Sequence, residues 1–288
     1  MPARSDLAVV IVNYNAGAYL TRCVASVLQN AGGLDLDVLV IDNASQDGSA
    51  QVAKSAQPDI RVTMNPTNRG LSAAWNQGAE DTDSPWILFL NPDAELWAGN
   101  LAGLVKVAQE HPDVAVLGPV VRNADGTVYE SGRMFPSVTQ AVGHAFVGAF
   151  HADNRFTRSY RQTDWDRLSE RQVDWVSGAC MLVRRNAFEQ VGRFDEGFFL
   201  YAEELDLTTR LRGAGWKVLY TPELEILHEG AVSTGRSARM HRMHSSSIYR
   251  YYRKHRSGGW RRATLPFAWF ALRARAELVS LRDKVRAR

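Results

Sequence analysis

The chain has 288 residues, of which 45% are hydrophobic, so it is long enough for one large α/β domain or a domain and a half. Its two cysteines, Cys23 and Cys180, lie far apart, which excludes a disulfide framework and metal-thiolate spacing and indicates a cytosolic protein. The N-terminal apolar run is too short for a signal peptide, and no segment reaches the roughly 18 uncharged apolar residues of a membrane span. We therefore predict a chain that neither crosses a bilayer nor leaves through the secretory pathway.

The net charge of +3 hides an uneven distribution. Residues 1–235 hold 19 Lys and Arg against 29 Asp and Glu, whereas residues 236–288 hold 15 against 2. A basic extension on an acidic body indicates an anionic partner, which is nucleic acid, a phospholipid surface or a phosphorylated acceptor.

Short apolar runs alternate with amphipathic segments along the body, and this alternation predicts βαβ architecture. A helix is indicated after the first strand, because apolar residues recur there at helical spacing: Leu20, Val24, Val27 and Leu28. The predicted strands cover residues 7–15, 36–45, 59–66 and 86–93.

Each of these four strands ends in asparagine or aspartate. The residues are Asn13 and Asn15, Asp42 and Asn43, Asn65 and Asn68, and Asn91 and Asp93. In open parallel sheets the ligand crevice lies outside the carboxyl ends of the strands, so the polar residues predict a site there. Turn formation is the alternative, since Asn and Asp are ordinary turn residues.

Two common nucleotide-binding motifs are absent. A dinucleotide-binding domain needs G-x-G-x-x-G after the first strand, where this chain offers only Gly17, and there is no Walker A pattern. The diphosphate of a bound nucleotide would then be neutralised by something other than a glycine-rich loop, and a divalent cation is the obvious candidate.

The segment Asn91-Pro92-Asp93 suits such a cation. Side chains two positions apart on an extended chain point to the same side. Mg²⁺ and Mn²⁺ take oxygen ligands, often one or two carboxylates plus substrate phosphates, and Asp93 can supply one. Asn91 is neutral and is better suited to a sugar hydroxyl, and the tripeptide is also a common turn.

Six motifs follow one another across residues 7–236: VVIVNYN, VIDNASQDGS, NRGLSAAWNQG, FLNPD, the long stretch from VSGACMLVRR to RLRGAGW, and ILHEGAVSTGR. Together they resemble an inverting family 2 glycosyltransferase. The resemblance implies the GT-A fold, an α/β fold with a Rossmann-like twisted mixed sheet flanked by helices.

Two further stretches, LGPVVRNADGTVYESGRMFPS and STGR, resemble rhamnosyltransferases that extend polyprenyl-diphosphate-linked N-acetylglucosamine. This resemblance implies transfer of L-rhamnose from dTDP-L-rhamnose, with inversion, in cell-wall or surface polysaccharide synthesis. A family 2 transferase that uses a UDP-sugar is the alternative, because a base pocket at Asp42 recognises features common to uracil and thymine. A nucleotide-binding regulator with a nucleic-acid-binding tail is an alternative of another class.

On the donor side, the resemblance places Asp42 on the pyrimidine ring, Asn13 in the same base pocket and Arg69 over the nucleotide. Asn91 and Asp93 match the family's D-x-D motif, with Asn in place of the first Asp. Asp93 is therefore the expected ligand of Mg²⁺ or Mn²⁺. His228 resembles the metal ligand that a later strand contributes, although a lone histidine beside an apolar run is more often a structural residue.

On the acceptor side, residues 175–183 are predicted to form an apolar strand. It carries Ser177 and Gly178, where a missing side chain lets a sugar approach the backbone or marks a bulge. Trp175 is a candidate stacking platform, although an aromatic there is more often core. Two arginines, Arg133 and Arg236, are candidates for phosphate contacts on donor or acceptor.

The stretch FFLYAEELDLTTRLRGAGW offers three carboxylates for the base of an inverting displacement. In a helix that starts near Glu203, Glu204 shares a face with apolar residues, and partial desolvation there raises a carboxyl pKa toward neutrality. Asp206 precedes Arg210 by four residues, the spacing of an ordinary ion pair, and Glu203 is expected to point away from the apolar stripe. The resemblance also places the base at Glu204, one methylene longer than the family's usual Asp, with Glu203 on the acceptor side.

The C-terminal extension mixes arginine with aromatic residues and then carries an apolar stripe at steps of three and four. The stripe comprises Phe267, Phe270, Ala271, Ala274, Leu278, Leu281 and Val285. This pattern predicts a basic amphipathic helix lying in a membrane interface. Nucleic acid is the rival partner, and packing of the stripe on the body or on a second subunit, as in a homodimer, is a further alternative.

The complete expectation is a nucleotide-sugar-binding half at 1–119, an acceptor-binding and catalytic half at 120–235 and a membrane-associating extension at 236–288. The partners are then a nucleotide-sugar donor and a lipid-linked sugar diphosphate, with no nucleic acid. The expected location is cytoplasmic, peripheral on the inner face of the plasma membrane.

Overall fold

The computed structural model of the chain describes residues 5–135, 165–230, 238–255 and 265–286. Arg236, a predicted phosphate contact, lies outside the described residues.

Strands and helices alternate through the first part of the chain, as predicted. The strands are β1 (Leu7–Asn13), β2 (Leu36–Asp42), β3 (Arg61–Met64), β4 (Trp86–Leu90), β5 (Ala94–Gly99), β6 (Val114–Arg122), β7 (Val128–Tyr129), β8 (Arg171–Val173), β9 (Cys180–Arg184) and β10 (Lys217–His228). The helices are α1 (Ala18–Gln29), α2 (Ser49–Ala56), α3 (Leu71–Glu80), α4 (Leu101–Glu110), α5 (Arg185–Gln190), α6 (Glu203–Gly213), α7 (Ala238–His255) and α8 (Leu265–Arg286).

Within the described residues these strands form one mixed sheet in the order β3-β2-β1-β4-β9-β6-β10-β5, with β7 added on β6 and β8 on β10. The strands β3, β2, β1 and β4 are parallel, whereas β9 runs antiparallel to both β4 and β6. Apolar clusters that include side chains of the flanking helices pack against the sheet. The predicted α/β class with a mixed sheet flanked by helices is confirmed.

The predicted helix after the first strand is α1, and its apolar face is buried as the spacing indicated. Cys23 and Cys180 are both buried free thiols. The proposed division at 119/120 falls inside β6, and β10 pairs with both β6 and β5. The two halves therefore share one sheet.

One predicted strand is wrong in its start. Residues 175–179 are not part of β9, which begins at Cys180. Trp175 forms only an isolated bridge with Arg133, and Gly178 lies in a turn. Gly178 is therefore not a bulge within a strand. The apolar composition of 175–183 concealed this break, because the turn residues are themselves small or apolar.

The C-terminal extension consists of two helices in the described residues. Helix α7 packs on the body, where Tyr251 is buried. Helix α8 begins at Leu265 and contacts α7. Phe267 and Phe270 of the apolar stripe are 65% and 66% exposed. None of the helices in the described part of the chain is long and apolar enough to cross a membrane.

Candidate active site

A cavity of about 450 Å³ opens at the carboxyl ends of the parallel strands. Its lining includes nine of the residues selected from the sequence: Asn91, Asp93, Arg133, Trp175, Ser177, Gly178, Glu203, Glu204 and His228. These residues come from both halves of the chain. The cavity therefore joins the predicted donor and acceptor sides in one site.

One corner of the cavity holds Asp93 and His228. The antiparallel register of β5 and β10 pairs Ala94 with His228, which brings the residue before Ala94 beside the histidine. His228 Nε2 lies 3.3 Å from Asp93 Oδ1 and also 3.3 Å from Asn91 Nδ2. We call Asn91, Asp93 and His228 the metal corner.

The metal corner fits a divalent cation that also binds a substrate. Among the described residues no group of three His, Cys, Asp or Glu side chains is placed to hold a metal ion. Asp93 and His228 supply one oxygen and one nitrogen at a single point, and Asp93 is only 6% exposed. Mg²⁺ and Mn²⁺ are commonly held by one or two protein ligands together with substrate phosphates, so the donor set matches that pattern.

Two acidic residues stand at the first turn of α6, opposite the small residues before β9. The helix is preceded by Tyr201 at φ 71° and Ala202 at φ 65°. Left-handed backbone is uncommon for residues other than glycine and costs about 1–3 kcal/mol each where the surroundings hold it. Such strain concentrates at functional sites, and here it fixes the direction in which Glu203 and Glu204 enter the cavity.

The carboxyl groups of Glu203 and Glu204 are both withdrawn from water. Burial raises the pKa of Glu203 well above its usual value, and the neighbouring Glu204 charge adds to the effect. Burial also raises the pKa of Glu204, while the charge of Arg133 opposes the shift. One oxygen of each carboxyl group is buried and accepts no hydrogen bond from the described residues.

The expectation that Glu203 points away from the apolar stripe is wrong. Glu203 is 4% exposed and lines the same cavity as Glu204. Tyr201 and Ala202 have left-handed backbone directly before the helix, and no periodicity in the sequence reports such a turn. Of the two residues Glu204 is the less buried, which leaves it the more accessible to a second substrate.

Asp206 forms the predicted ion pair with Arg210. Arg210 Nε donates to Asp206 Oδ2 at 2.8 Å. Lys254 and His255 of α7 also lie 2.8 and 2.6 Å from Asp206 Oδ1. These partners outweigh burial and lower the pKa of Asp206 to about 2. Asp206 therefore remains ionised, and it joins α6 to α7.

Arg133, a predicted acceptor contact, lines the cavity beside Trp175. Its backbone pairs with Trp175, and its guanidinium lies 5.1 Å from the Trp175 ring. Arg133 also donates a 2.8 Å hydrogen bond to the hydroxyl of Tyr129. A Cβ atom at Gly178 would lie 3.3 Å from Trp75 and 4.0 Å from the Glu204 carboxyl carbon. A side chain at position 178 would therefore occupy the space beside Glu204.

The predicted base-binding residues lie beneath the cavity. Asn13 and Asp42 are neighbours in the β1–β2 register, and both are 0% exposed. Asn13 Nδ2 donates to Asp42 Oδ1 at 2.7 Å, and the backbone N–H of Ser45 donates to Asp42 Oδ2 at 2.9 Å. Neither lines the described cavity, and the contact of Asp42 with a pyrimidine base stays a prediction.

Two other strand-end asparagines reach the cavity instead. Asn43 and Asn68 line it, and Asn43 Nδ2 donates to Asn68 Oδ1 at 3.0 Å. Arg69 is exposed and does not line the cavity, because its guanidinium donates to Gln77 Oε1 at 3.1 Å. Its predicted position over a nucleotide stays a prediction.

Sequence reasoning did not select several lining residues. Trp75 is buried in α3 against Phe89 and Phe194, and its apolar context indicated only core. Tyr201 offered no signal. His244 belongs to α7, which the charge pattern assigned to the membrane-facing extension, yet it lines the cavity and its ring centroid lies 5.2 Å from that of Tyr201.

Comparison with known proteins gives matches at the levels of family, relative and fold. Residues 8–192 match the family model described as Glycosyl transferase family 2. The chain is 40% identical over 277 residues to an N-acetylglucosaminyl-diphospho-decaprenol L-rhamnosyltransferase of Mycobacterium tuberculosis, which covers 91% of this chain and 88% of that protein.

Two solved structures share the fold at low sequence identity. The mannosyltransferase PcManGT from Pyrobaculum calidifontis, in complex with GDP-Man and Mn²⁺, has a TM-score of 0.59 at 15% identity and covers 95% of this chain and 74% of that one. GalNAc-T7 with UDP, GalNAc and Mn²⁺ has a TM-score of 0.60 at 16% identity, covering 86% of this chain and 48% of that one. These likenesses confirm the GT-A fold.

Proposed function

Because the chain belongs to glycosyltransferase family 2, we propose that it transfers L-rhamnose from dTDP-L-rhamnose to a polyprenyl-diphosphate-linked N-acetylglucosamine. The observation that carries the proposal is the 40% identity, over 91% of the chain, to a rhamnosyltransferase named for such an acceptor. The cavity supports it, since a metal corner, a carboxylate pair and an arginine line one space.

The donor diphosphate belongs at the metal corner. Asp93 and His228 would hold a divalent cation there, and Asn91 lies beside them. A bound Mg²⁺ or Mn²⁺ supplies positive charge that stabilises a diphosphate leaving group. Asn43 and Asn68 would hold the nucleoside in this proposal, since both line the cavity and are hydrogen-bonded to each other.

Glu204 is the general base in this proposal. An inverting displacement in one step needs a base that removes the acceptor hydroxyl proton as that oxygen attacks the anomeric carbon. The raised pKa of Glu204 makes it a better proton acceptor than an exposed glutamate. The open backbone at Gly178, close to the Glu204 carboxyl group, leaves room for a sugar hydroxyl.

Glu203 and Arg133 complete the acceptor side. Glu203 is the more buried carboxyl group and accepts hydroxyl hydrogen bonds from a bound sugar in this account. Arg133, stacked near Trp175, brings positive charge that a lipid-linked diphosphate requires. Ser177 also lines the cavity, next to Gly178.

The extension at 236–288 gives the enzyme a peripheral membrane contact in this proposal. Its acceptor carries a lipid, and α8 presents exposed Phe267, Trp269 and Phe270 on a basic chain. Aromatic side chains and arginines on one helix are typical of segments that bind anionic interfaces.

The deciding experiment is product analysis with the full-length chain, a panel of dTDP- and UDP-sugars and a synthetic lipid-diphosphate N-acetylglucosamine. We expect mass spectrometry to detect one added deoxyhexose from dTDP-L-rhamnose and release of dTDP. Preferred use of a UDP-sugar would replace the donor in this proposal. Binding of nucleotides without transfer to this or any other sugar acceptor would overturn the proposed reaction.

A further inference from the structure

One face of helix α7 contacts α6 and the segment directly before it. Ser247 Oγ donates to the Leu200 carbonyl at 2.7 Å, and the Tyr251 hydroxyl lies 2.9 Å from Thr209 Oγ1. At the next step along the same face, His255 Nε2 lies 2.6 Å from Asp206 Oδ1. The position of α7 relative to α6 is therefore fixed by its own side chains.

A second set of ion pairs holds the same end of α7. Arg250 and Lys254 lie 3.1 and 2.7 Å from the carboxylate of Asp195, in the segment before α6. Asp195 is partly buried, and these cations lower its pKa. The C-terminal half of α7 is thus bound to the body through ion pairs with Asp195 and Asp206.

The face that carries these contacts continues to His244. Residues 244, 247, 251 and 255 are spaced by three, four and four, so they lie on one side of the helix. At His244 this side of α7 lines the cavity instead of packing on the body, and the His244 ring contacts the Tyr201 ring. Helix α7 therefore supplies one wall of the site.

The charges that line the cavity indicate a binding role for a basic side chain of α7. Asp93, Glu203 and Glu204 all line the cavity, whereas the basic side chains of its described lining are Arg133, His228 and His244. Helix α7 itself contains no Asp or Glu. Two substrates that each carry a diphosphate would bring further negative charge into this space, and the metal corner accounts for only one of them.

We propose that His244 is a substrate-binding residue of this site and that its ring donates a hydrogen bond to a substrate diphosphate. The inference rests on the proposed function, which supplies both diphosphates, the dTDP of the donor and the lipid diphosphate of the acceptor. The Tyr201 ring packs edge-on against the His244 ring, and the ion pairs of α7 hold its other end on the body.

The test uses binding rather than turnover. Calorimetric titrations of the full-length chain with dTDP, and separately with a water-soluble short-alkyl diphosphate N-acetylglucosamine, compare wild type with His244→Phe and His244→Gln. Phenylalanine keeps the ring beside Tyr201 and removes its N–H donors, whereas glutamine keeps a donor. His241→Phe is the matched control, since His241 lies one turn earlier and does not line the described cavity.

We expect His244→Phe to weaken binding of one of the two diphosphates about tenfold, the value of one charge-assisted hydrogen bond. His244→Gln should retain most of the affinity, and His241→Phe should bind as wild type. Loss with dTDP assigns the contact to the donor, and loss with the alkyl diphosphate assigns it to the acceptor. An alkyl N-acetylglucosaminide without the diphosphate should bind His244→Phe and wild type equally.

Wild-type affinity of His244→Phe for both diphosphates, with an unchanged melting temperature, would overturn the inference. Equal weakening by His241→Phe would also overturn it, because the effect would then belong to the helix. If wild type binds both compounds but transfers no sugar, the proposed function fails while the role of His244 stands. If wild type binds neither compound, both fail.

Discussion

His228 Nε2 and Asp93 Oδ1 lie 3.3 Å apart, although the two residues belong to distant parts of the chain. The pairing of β10 with β5 produces this contact, because His228 faces Ala94 in the register. A histidine at the end of an apolar strand is ordinarily a structural residue. Beside a nearly buried carboxylate in the lining of a cavity, it fits the proposed role of a cation ligand together with Asp93.

Asp93→Ala should remove the dependence on divalent cations together with the activity. Loss of an electrostatic partner of a leaving group typically costs about 10²–10³ in rate. Transfer assays with and without EDTA, followed by Mg²⁺ or Mn²⁺ titration, measure the effect. Asn91→Asp is the matched variant in the same corner and should retain activity. Full wild-type turnover in EDTA would contradict the metal assignment.

Glu204→Gln should abolish transfer while leaving donor affinity nearly unchanged. General base catalysis contributes about 10²–10⁴ in rate, and glutamine keeps the size of the side chain without its basicity. Glu204→Asp should keep partial activity, and Glu203→Gln should chiefly raise the KM for the acceptor. Near-normal kcat in Glu204→Gln would move the role of base to Glu203.

The buried carboxyl groups should destabilise the fold at neutral pH. Because burial raises the folded-state pKa of Glu203 above its unfolded value, the ionised group opposes folding, and stability is lost as the pH rises through the raised pKa. Glu203→Gln should therefore raise the melting temperature at pH 7 more than at pH 4. A melting temperature that falls equally at both values would argue against a buried, strained carboxylate.

Asp206→Asn should destabilise the protein in the opposite pH range. The pKa of Asp206 is lowered from 3.8 to about 2, so its ion pairs stabilise the fold above pH 4 and this contribution is lost as the pH falls toward 2. Breaking a buried ion pair costs about 3–5 kcal/mol. Urea unfolding at pH 7 measures the loss, and Asp113→Asn, at an exposed pair with Lys217, is the control that should change little.

Deletion of residues 257–288 should weaken attachment to anionic vesicles without loss of donor binding. The truncation removes α8 and its exposed aromatic residues but retains α7, whose contacts with Asp195 and Asp206 end at His255. Each basic residue near such a surface contributes about 1 kcal/mol. Sedimentation with vesicles at low and high salt checks this. Equal vesicle binding by both forms at physiological salt would show that α8 is not the membrane contact.

Sequence patterns predicted those features that depend on residues close together in the chain. Strand ends rich in Asn and Asp led to the cavity, and the spacing of Asp206 and Arg210 gave their ion pair. The start of α6 at Glu203 was expected, but the left-handed residues Tyr201 and Ala202 that turn Glu203 inward were not. Backbone conformations of this kind depend on tertiary packing, which no periodicity encodes.

Long-range contacts were likewise out of reach of the sequence. The basic charge of α7 suggested an anionic surface, yet several of its cations bind Asp195 and Asp206 of the body itself. The same contacts carry His244 to the cavity. Asn13 and Asp42 are a further example. Their position at strand ends suggested a ligand contact, and the structure also shows a hydrogen bond between their side chains.

An inverting sugar transfer in this cavity, with Glu204 as base, gives a product whose anomeric configuration is opposite to that of the donor. The most direct measurement is the NMR-determined anomeric configuration of the product formed from dTDP-L-rhamnose and a lipid-diphosphate N-acetylglucosamine, with wild type and Glu204→Gln in parallel. We expect one rhamnosyl linkage of configuration opposite to that of the donor, formed by wild type and absent with Glu204→Gln. A product with retained configuration, or the same product formed at the same rate by both proteins, would contradict it.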